Sequence, residues 1–105
     1  MDDRRTAPRG DGPLEAQWTG RTSSGRGRVR DLSAAGCYLE SVMMPGEGEV
    51  LQVSIVGPTG RPTKLLAEVV EYRERSGFAV RFVDLTAPQE RELMDMVTRL
   101  RPRMP

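Results

Sequence analysis

Short runs in which apolar and polar residues alternate follow one another along most of the chain and predict β-strands. The first run places Leu14, Ala16 and Trp18 on one face and polar residues on the other. Glycine, proline and serine bound each run and favour turns, and residues 20–27 are predicted to be one such turn. The predicted strands cover residues 14–19, 28–32, 36–40, 49–56, 64–72 and 78–83. Six short strands joined by turns predict an all-β fold, a small six-stranded antiparallel β-barrel.

The hydrophobic period changes near the C-terminal end and predicts an α-helix over about residues 87–100. Thr86 and Gln89 have the spacing of a capping box, with Pro88 in the first turn. Pro102 ends the helix. One apolar stripe follows from helical spacing: Leu93, Met96, Val97 and Leu100. We expect it to plug or flank the barrel, with Met94 beside it; a seam between two copies is the alternative.

Residues 1–13 hold almost nothing that a core would bury. Such a segment does not offset the entropy lost on ordering, so a flexible N-terminal arm is predicted there. Residues 14–105 then form the folded domain, which comprises the barrel and the helix. Trp18 and Cys37 are expected in or near its core, and Arg81 on its solvated outer face.

Composition excludes several classes of protein. The chain has 105 residues, which suits one domain, and 16 basic residues against 15 acidic ones argue against a binder of nucleic acid polymers. No apolar run approaches the length of a membrane span, so no membrane insertion is expected, and no secretory signal is recognisable. The single cysteine fits a cytoplasmic location. Without histidine, the usual triads and zinc sites are excluded, so we expect no enzyme.

Two short motifs stand out from this scaffold. The first is Arg-Arg-Thr-Ala-Pro-Arg at residues 4–9, and the second is Asp-Leu-Ser-Ala-Ala-Gly at residues 31–36. Taken alone, the first also fits a solvated tail, and the second fits a structural turn in which Asp31 bonds local amides. Their occurrence together, about twenty residues apart, is much more specific.

Together the motifs resemble those of the PilZ domain, a bacterial receptor module for the second messenger cyclic di-GMP. The likeness covers nearly the whole chain, including the late strand from Gly77 and the terminal helix. It implies a six-stranded antiparallel barrel with such a helix, in agreement with the periodicity. Ala79 stands where the family often has glycine, and we expect this to alter packing in the last strand rather than the ligand site.

The resemblance also implies a ligand site. It assigns guanine and phosphate binding to Arg5 and Arg9, because an arginine fork matches the O6 and N7 acceptors of guanine. It assigns the guanine edge to Asp31 and Ser33. Gly36 is expected to allow a sharp turn and a close approach to the ligand. In the family, an arginine at the position of Arg4 accompanies a stacked, intercalated pair of ligands, so two cyclic di-GMP molecules per chain are predicted.

The expected function is that of a receptor and adaptor. The arm would become ordered over the ligand and present a new surface to an effector protein, with no cofactor required. The alternative is a PilZ-fold protein-interaction module that binds no nucleotide. A barrel that binds single-stranded nucleic acid is disfavoured, because only five residues of the chain are aromatic.

Overall fold

The computed structural model describes residues 14–57, 60–73 and 76–100. Within them, six antiparallel strands close into a barrel in the order β1-β2-β3-β6-β5-β4, and a helix follows the last strand. The predicted fold class is therefore confirmed. The predicted flexible arm lies outside the described residues. The elements are β1 (Glu15–Thr19), β2 (Ser24–Arg30), β3 (Gly36–Glu40), β4 (Val50–Val56), β5 (Pro62–Arg73), β6 (Gly77–Val83) and α1 (Ala87–Leu100).

Strand β2 departs from the prediction. It begins at Ser24, inside the segment predicted as a turn, and ends at Arg30. The reason lies in Gly25, which pairs with Trp18 of β1 and faces its indole ring. A Cβ atom at Gly25 would lie 3.0 Å from that ring, so the glycine makes room for the tryptophan within a regular strand.

The barrel interior holds the apolar face of every strand. Trp18 is only 1% exposed and packs edge-on against Phe78, with ring centroids 5.5 Å apart, which confirms its expected place in the core. Cys37 is also buried, as expected, and burial raises the pKa of its thiol to about 12. The largest fully buried side chains besides these two aromatic residues are Leu39, Leu51, Ile55, Leu65 and Leu93.

Helix α1 begins with the predicted capping box. The Gln89 amide donates to Thr86 Oγ1 at 3.2 Å, and the Thr86 amide donates to Gln89 Oε1 at 2.8 Å. Leu93 and Met96 are buried against the barrel, which confirms that the stripe flanks it. Met94 is 51% exposed and lies outside the buried stripe. The helix thus covers the barrel with one side only.

Candidate ligand-binding site

An open cavity of about 530 Å³ lies on the outer surface of three neighbouring strands, β2, β3 and β6. Much of its wall is built from residues whose side chains lie on the outer face of the barrel. Across the sheet, Arg30 pairs with Tyr38, and Tyr38 pairs with Ala79. In a parallel row, Gly36 pairs with Arg81. Three of the six predicted site residues, Asp31, Ser33 and Gly36, line this cavity.

Asp31 leaves β2 with a left-handed backbone, at φ 53°. Aspartate is one of the few residues with a side chain that adopts this conformation readily. Its side chain is exposed and makes no hydrogen bond to any residue that the structure describes. The alternative in which the Asp31 carboxylate bonds local amides is therefore not what the structure has. The carboxylate lines the cavity, and its acceptor sites have no partner in residues 14–57, 60–73 and 76–100.

Ser33 performs the local bonding instead. Its Oγ accepts from the amides of Ala35 at 3.1 Å and Gly36 at 3.3 Å, and it donates to the Gly36 carbonyl at 3.3 Å. The Ser33 amide also donates to the Gly36 carbonyl at 2.9 Å. The hydroxyl thus adds to the backbone bonds that hold the loop between β2 and β3. Its predicted contact with the ligand stays a prediction.

Gly36 is needed for a reason other than the expected sharp turn. Its φ lies outside the left-handed region. A Cβ atom there would lie 2.1 Å from the carbonyl oxygen of Val80, in the adjacent strand β6. The glycine therefore permits close contact between two strands beneath the cavity.

Two arginines at the cavity are each held by a carboxylate. Arg30 Nε lies 2.9 Å from Glu40 Oε2, and Arg81 Nη2 lies 2.5 Å from Glu68 Oε1. The arginine side chains remain more than half exposed, so these pairs add little stability and mainly orient the guanidinium groups. Arg81 is on the outer face, as expected, although it is paired.

Several further residues line the cavity, and among them are three that the sequence alone did not mark as site residues: Arg30, Tyr38 and Arg73. Strand alternation was the available signal for Tyr38, because it lies two residues beyond Gly36 and so shares its face. Arg30 directly precedes Asp31. Arg73 carried no such signal, because it reaches the cavity from the far end of β5.

Ala79, which was expected to alter packing in the last strand rather than the ligand site, lies in the wall of the candidate cavity, opposite Tyr38. Its outward methyl group therefore forms part of the surface that a ligand would meet.

Arg4, Arg5 and Arg9 lie outside the described residues, but the point where the arm joins the barrel is defined. The amide of Val29 donates to the carbonyl of Leu14 at 2.9 Å. Leu14, the first described residue, therefore lies beside Val29 near the end of β2, and Val29 is two residues before Asp31. The arm joins the fold at the edge of the cavity.

Neither a metal cluster nor a membrane-spanning helix occurs in residues 14–57, 60–73 and 76–100. No group of three histidine, cysteine, aspartate or glutamate side chains there is placed to hold a metal ion. No helix there is long and apolar enough to cross a membrane.

Comparison with known proteins gives a consistent family. The family model of the PilZ domain matches residues 3–99. The structure resembles the PilZ domain of CeSA from a cellulose-synthesising bacterium, with a TM-score of 0.67 and 16% identity over 86% of this chain and 94% of the other. It also resembles the PilZ domain of YcgR from Escherichia coli, solved with cyclic di-GMP, with a TM-score of 0.67 and 20% identity over 84% of this chain and 81% of the other. No curated protein matches the chain.

Proposed function

Because the chain belongs to the PilZ domain family, we propose that it is a receptor for cyclic di-GMP. One observation carries the proposal: the open carboxylate of Asp31 lies in the same cavity as the guanidinium groups of Arg30, Arg73 and Arg81. A ligand that combines guanine bases with phosphates needs both kinds of partner. The solved YcgR domain that contains cyclic di-GMP has the same fold, which supports this choice of ligand.

The guanine edge suits the Asp31 carboxylate. A carboxylate accepts hydrogen bonds from guanine N1–H and N2–H₂, which arginine has no acceptor to satisfy. Arginine instead donates in pairs to guanine O6 and N7 or to phosphate oxygens. In this proposal Asp31 reads one edge of a base, while Arg5 and Arg9 bind the opposite edge and the phosphates.

The arm is long enough for this role. Arg9 lies five positions before Leu14, and an extended chain spans at most about 18 Å over five residues. Arg5 lies four residues further out. Leu14 lies beside Val29 at the end of β2, so in this proposal both arginines bind at the cavity without any rearrangement of the barrel.

We propose that two stacked cyclic di-GMP molecules bind per chain. Two such ligands bring four phosphate charges and four bases. Arg4, Arg5 and Arg9 of the arm, added to the arginines of the cavity, supply six guanidinium groups near these charges. Arg4 adds a cation that a single ligand, with two phosphates, does not need.

The signal in this proposal is the arm itself. On binding, the arm orders over the cavity and changes the surface at one side of the barrel, which an effector protein recognises. The protein then acts as an adaptor in the cytoplasm, with no chemistry of its own. Ordering the arm lowers the observed affinity, because its entropy is lost on binding.

The first test is isothermal titration calorimetry with cyclic di-GMP, with GMP and cyclic di-AMP as controls. We expect cyclic di-GMP to bind with a stoichiometry of two. Cyclic di-AMP should bind much more weakly, since adenine lacks both the O6 acceptor and the N2 donor of guanine. Arg5→Ala and Arg9→Ala should each weaken binding by about tenfold or more, because each removes a charge-assisted pair of hydrogen bonds. Arg91→Ala, which removes an exposed arginine that does not line the cavity, is the matched control.

Unchanged affinity in both arm variants would refute the role of the arm. A stoichiometry of one would refute the stacked pair. No heat from folded wild-type protein at two temperatures would refute the receptor function and favour the PilZ-fold interaction module.

A further inference from the structure

We propose that Tyr38 and Arg73 form a stacking platform in the cavity wall on which one guanine base of the ligand lies. The inference rests on the proposed function and adds a binding surface contributed by the barrel alone. Neither residue belongs to the two sequence motifs. Tyr38 lies on β3 and Arg73 at the end of β5, so the fold brings together residues that are 35 positions apart.

The two side chains are layered. The Arg73 guanidinium carbon lies 5.5 Å from the centroid of the Tyr38 ring, within the range of a cation–π contact. Arg73 is exposed, whereas Tyr38 is half-buried. The tyrosine therefore forms the lower layer and the arginine the upper one. Both residues line the same cavity as Asp31.

The pair is fixed before any ligand arrives. The Tyr38 hydroxyl lies 2.5 Å from Ser76 Oγ, and Ser76 Oγ in turn donates to the Arg73 carbonyl at 3.3 Å. The Ser76 amide donates to the same carbonyl at 3.1 Å. These bonds tie the middle of β3 to Ser76, which directly precedes β6, and to the end of β5. The tyrosine ring is thus held on the same turn that carries Arg73.

Gly77 brings that turn close to β3. Its φ is 148°, which favours glycine, and a Cβ atom there would lie 1.9 Å from the carbonyl oxygen of Leu39. The turn therefore packs directly against β3, where Gly77 pairs with Glu40. A platform held in this way loses little entropy when a base stacks on it.

The neighbours of the pair suit a flat aromatic ligand. Arg30 and Ala79 flank Tyr38 in the adjacent strands, and strands are spaced about 4.8 Å apart. The small side chain of Ala79 leaves the platform open on one side. Purines stack on planar guanidinium groups as they do on aromatic rings, and Arg73 offers such a plane. A base lying there would have the carboxylate of Asp31 within the same cavity.

Replacing Arg73 by lysine distinguishes stacking from simple charge attraction. Lysine retains the positive charge of Arg73 but not its plane. We therefore titrate cyclic di-GMP into Arg73→Ala, Arg73→Lys and wild-type protein by calorimetry. Stacking predicts about tenfold weaker binding in both variants, because each loses the planar group on which the base lies. Inorganic pyrophosphate, which has no base, should bind wild type and Arg73→Lys equally.

Tyr38 is tested with Tyr38→Phe, which keeps the ring, against Tyr38→Leu, which removes it. Affinity should fall less in the first, which loses only the bond to Ser76, than in the second, which loses the ring, with circular dichroism as the check on folding. Wild-type affinity in Arg73→Lys or Arg73→Ala would overturn the platform while leaving the receptor function intact. No binding of cyclic di-GMP to the wild type would overturn both proposals.

Discussion

Two turns of the barrel begin with nearly the same three residues, Asp-Leu-Ser at 31–33 after β2 and Asp-Leu-Thr at 84–86 after β6. In both, the aspartate has φ 53°. In both, the leucine packs partly buried against the core. In both, the hydroxyl of the third residue, Ser33 or Thr86, accepts hydrogen bonds from backbone amides further along the chain. The same local pattern ends two different strands.

The turns differ in the element that each one leads into and in the side chains around them. After residue 33 the chain returns to the barrel as β3, whereas after residue 86 it begins α1. Asp31 lies in a cavity with three arginines, and Asp84 is not part of that cavity. A left-handed aspartate is therefore a way to leave a strand here, and backbone strain alone does not mark a binding residue. The surroundings of Asp31 are what support its proposed role.

The largest expected effect lies at Gly36, where the chain after the first turn enters β3 instead of a helix. Gly36→Ala would place a Cβ atom 2.1 Å from the backbone oxygen of Val80, so strands β3 and β6 must separate. We expect a loss of about 3 kcal/mol in the free energy of unfolding, as for severe overpacking. Urea denaturation monitored by circular dichroism measures it.

Gly57→Ala is the matched control for that substitution. Its Cβ would lie 3.7 Å from Met96 Cγ, an ordinary contact, so stability should change by about 0.5 kcal/mol or less. Equal stability of the two variants would show that β3 and β6 do not need the close contact at Gly36.

Much of the fold could be predicted from alternation alone, because each strand buries one face. The start of β2 could not. Residues 24–27 contain two glycines and look like a turn, and only the position of the Trp18 ring over Gly25 explains why they form a strand. That contact joins two strands and leaves no periodic signal in either. The helix, whose cap is local, was predicted with its correct first residue.

The residues of the candidate site likewise include some that the sequence reveals and others that it does not. Asp31, Ser33 and Gly36 are adjacent in sequence and were found as a motif. Arg73 was not, because it comes within reach of Tyr38 only through the pairing of β3 with β6 and of β6 with β5. Local motifs are visible in a sequence, whereas a surface shared by three strands depends on register.

The affinity for cyclic di-GMP should respond differently to substitution of Asp31 and of Asp84. Asparagine also adopts the left-handed conformation, so Asp31→Asn and Asp84→Asn should both leave the turns intact. Asp31→Asn should weaken cyclic di-GMP binding by about tenfold or more, because the amide nitrogen opposes the donors of guanine and the charge is lost. Asp84→Asn should change the affinity by less than about twofold, in line with surface substitutions away from the site. Calorimetry of both variants measures the difference.

Wild-type affinity in both variants would mean that Asp31, like Asp84, only ends a strand. The receptor proposal would then depend on the arginines alone. A loss of the same size in both variants would point to a change of the whole barrel instead, which thermal unfolding would reveal.

The smallest expected difference is in the stability lost when the hydroxyl of Ser33 or of Thr86 is removed. Thr86→Ala should cost about 1 kcal/mol, because the first amides of a helix have no partner within it and Thr86 caps one of them. Ser33→Ala should cost about 0.5 kcal/mol, near the low end for one hydrogen bond. Two backbone bonds still hold its loop, from Ser33 to Gly36 and from Phe82 to Ala35. Thermal unfolding compares the two, with Thr86→Ser as the variant that retains the cap. A larger cost at Ser33 would mean that its hydroxyl, rather than the backbone, holds the loop that carries Asp31.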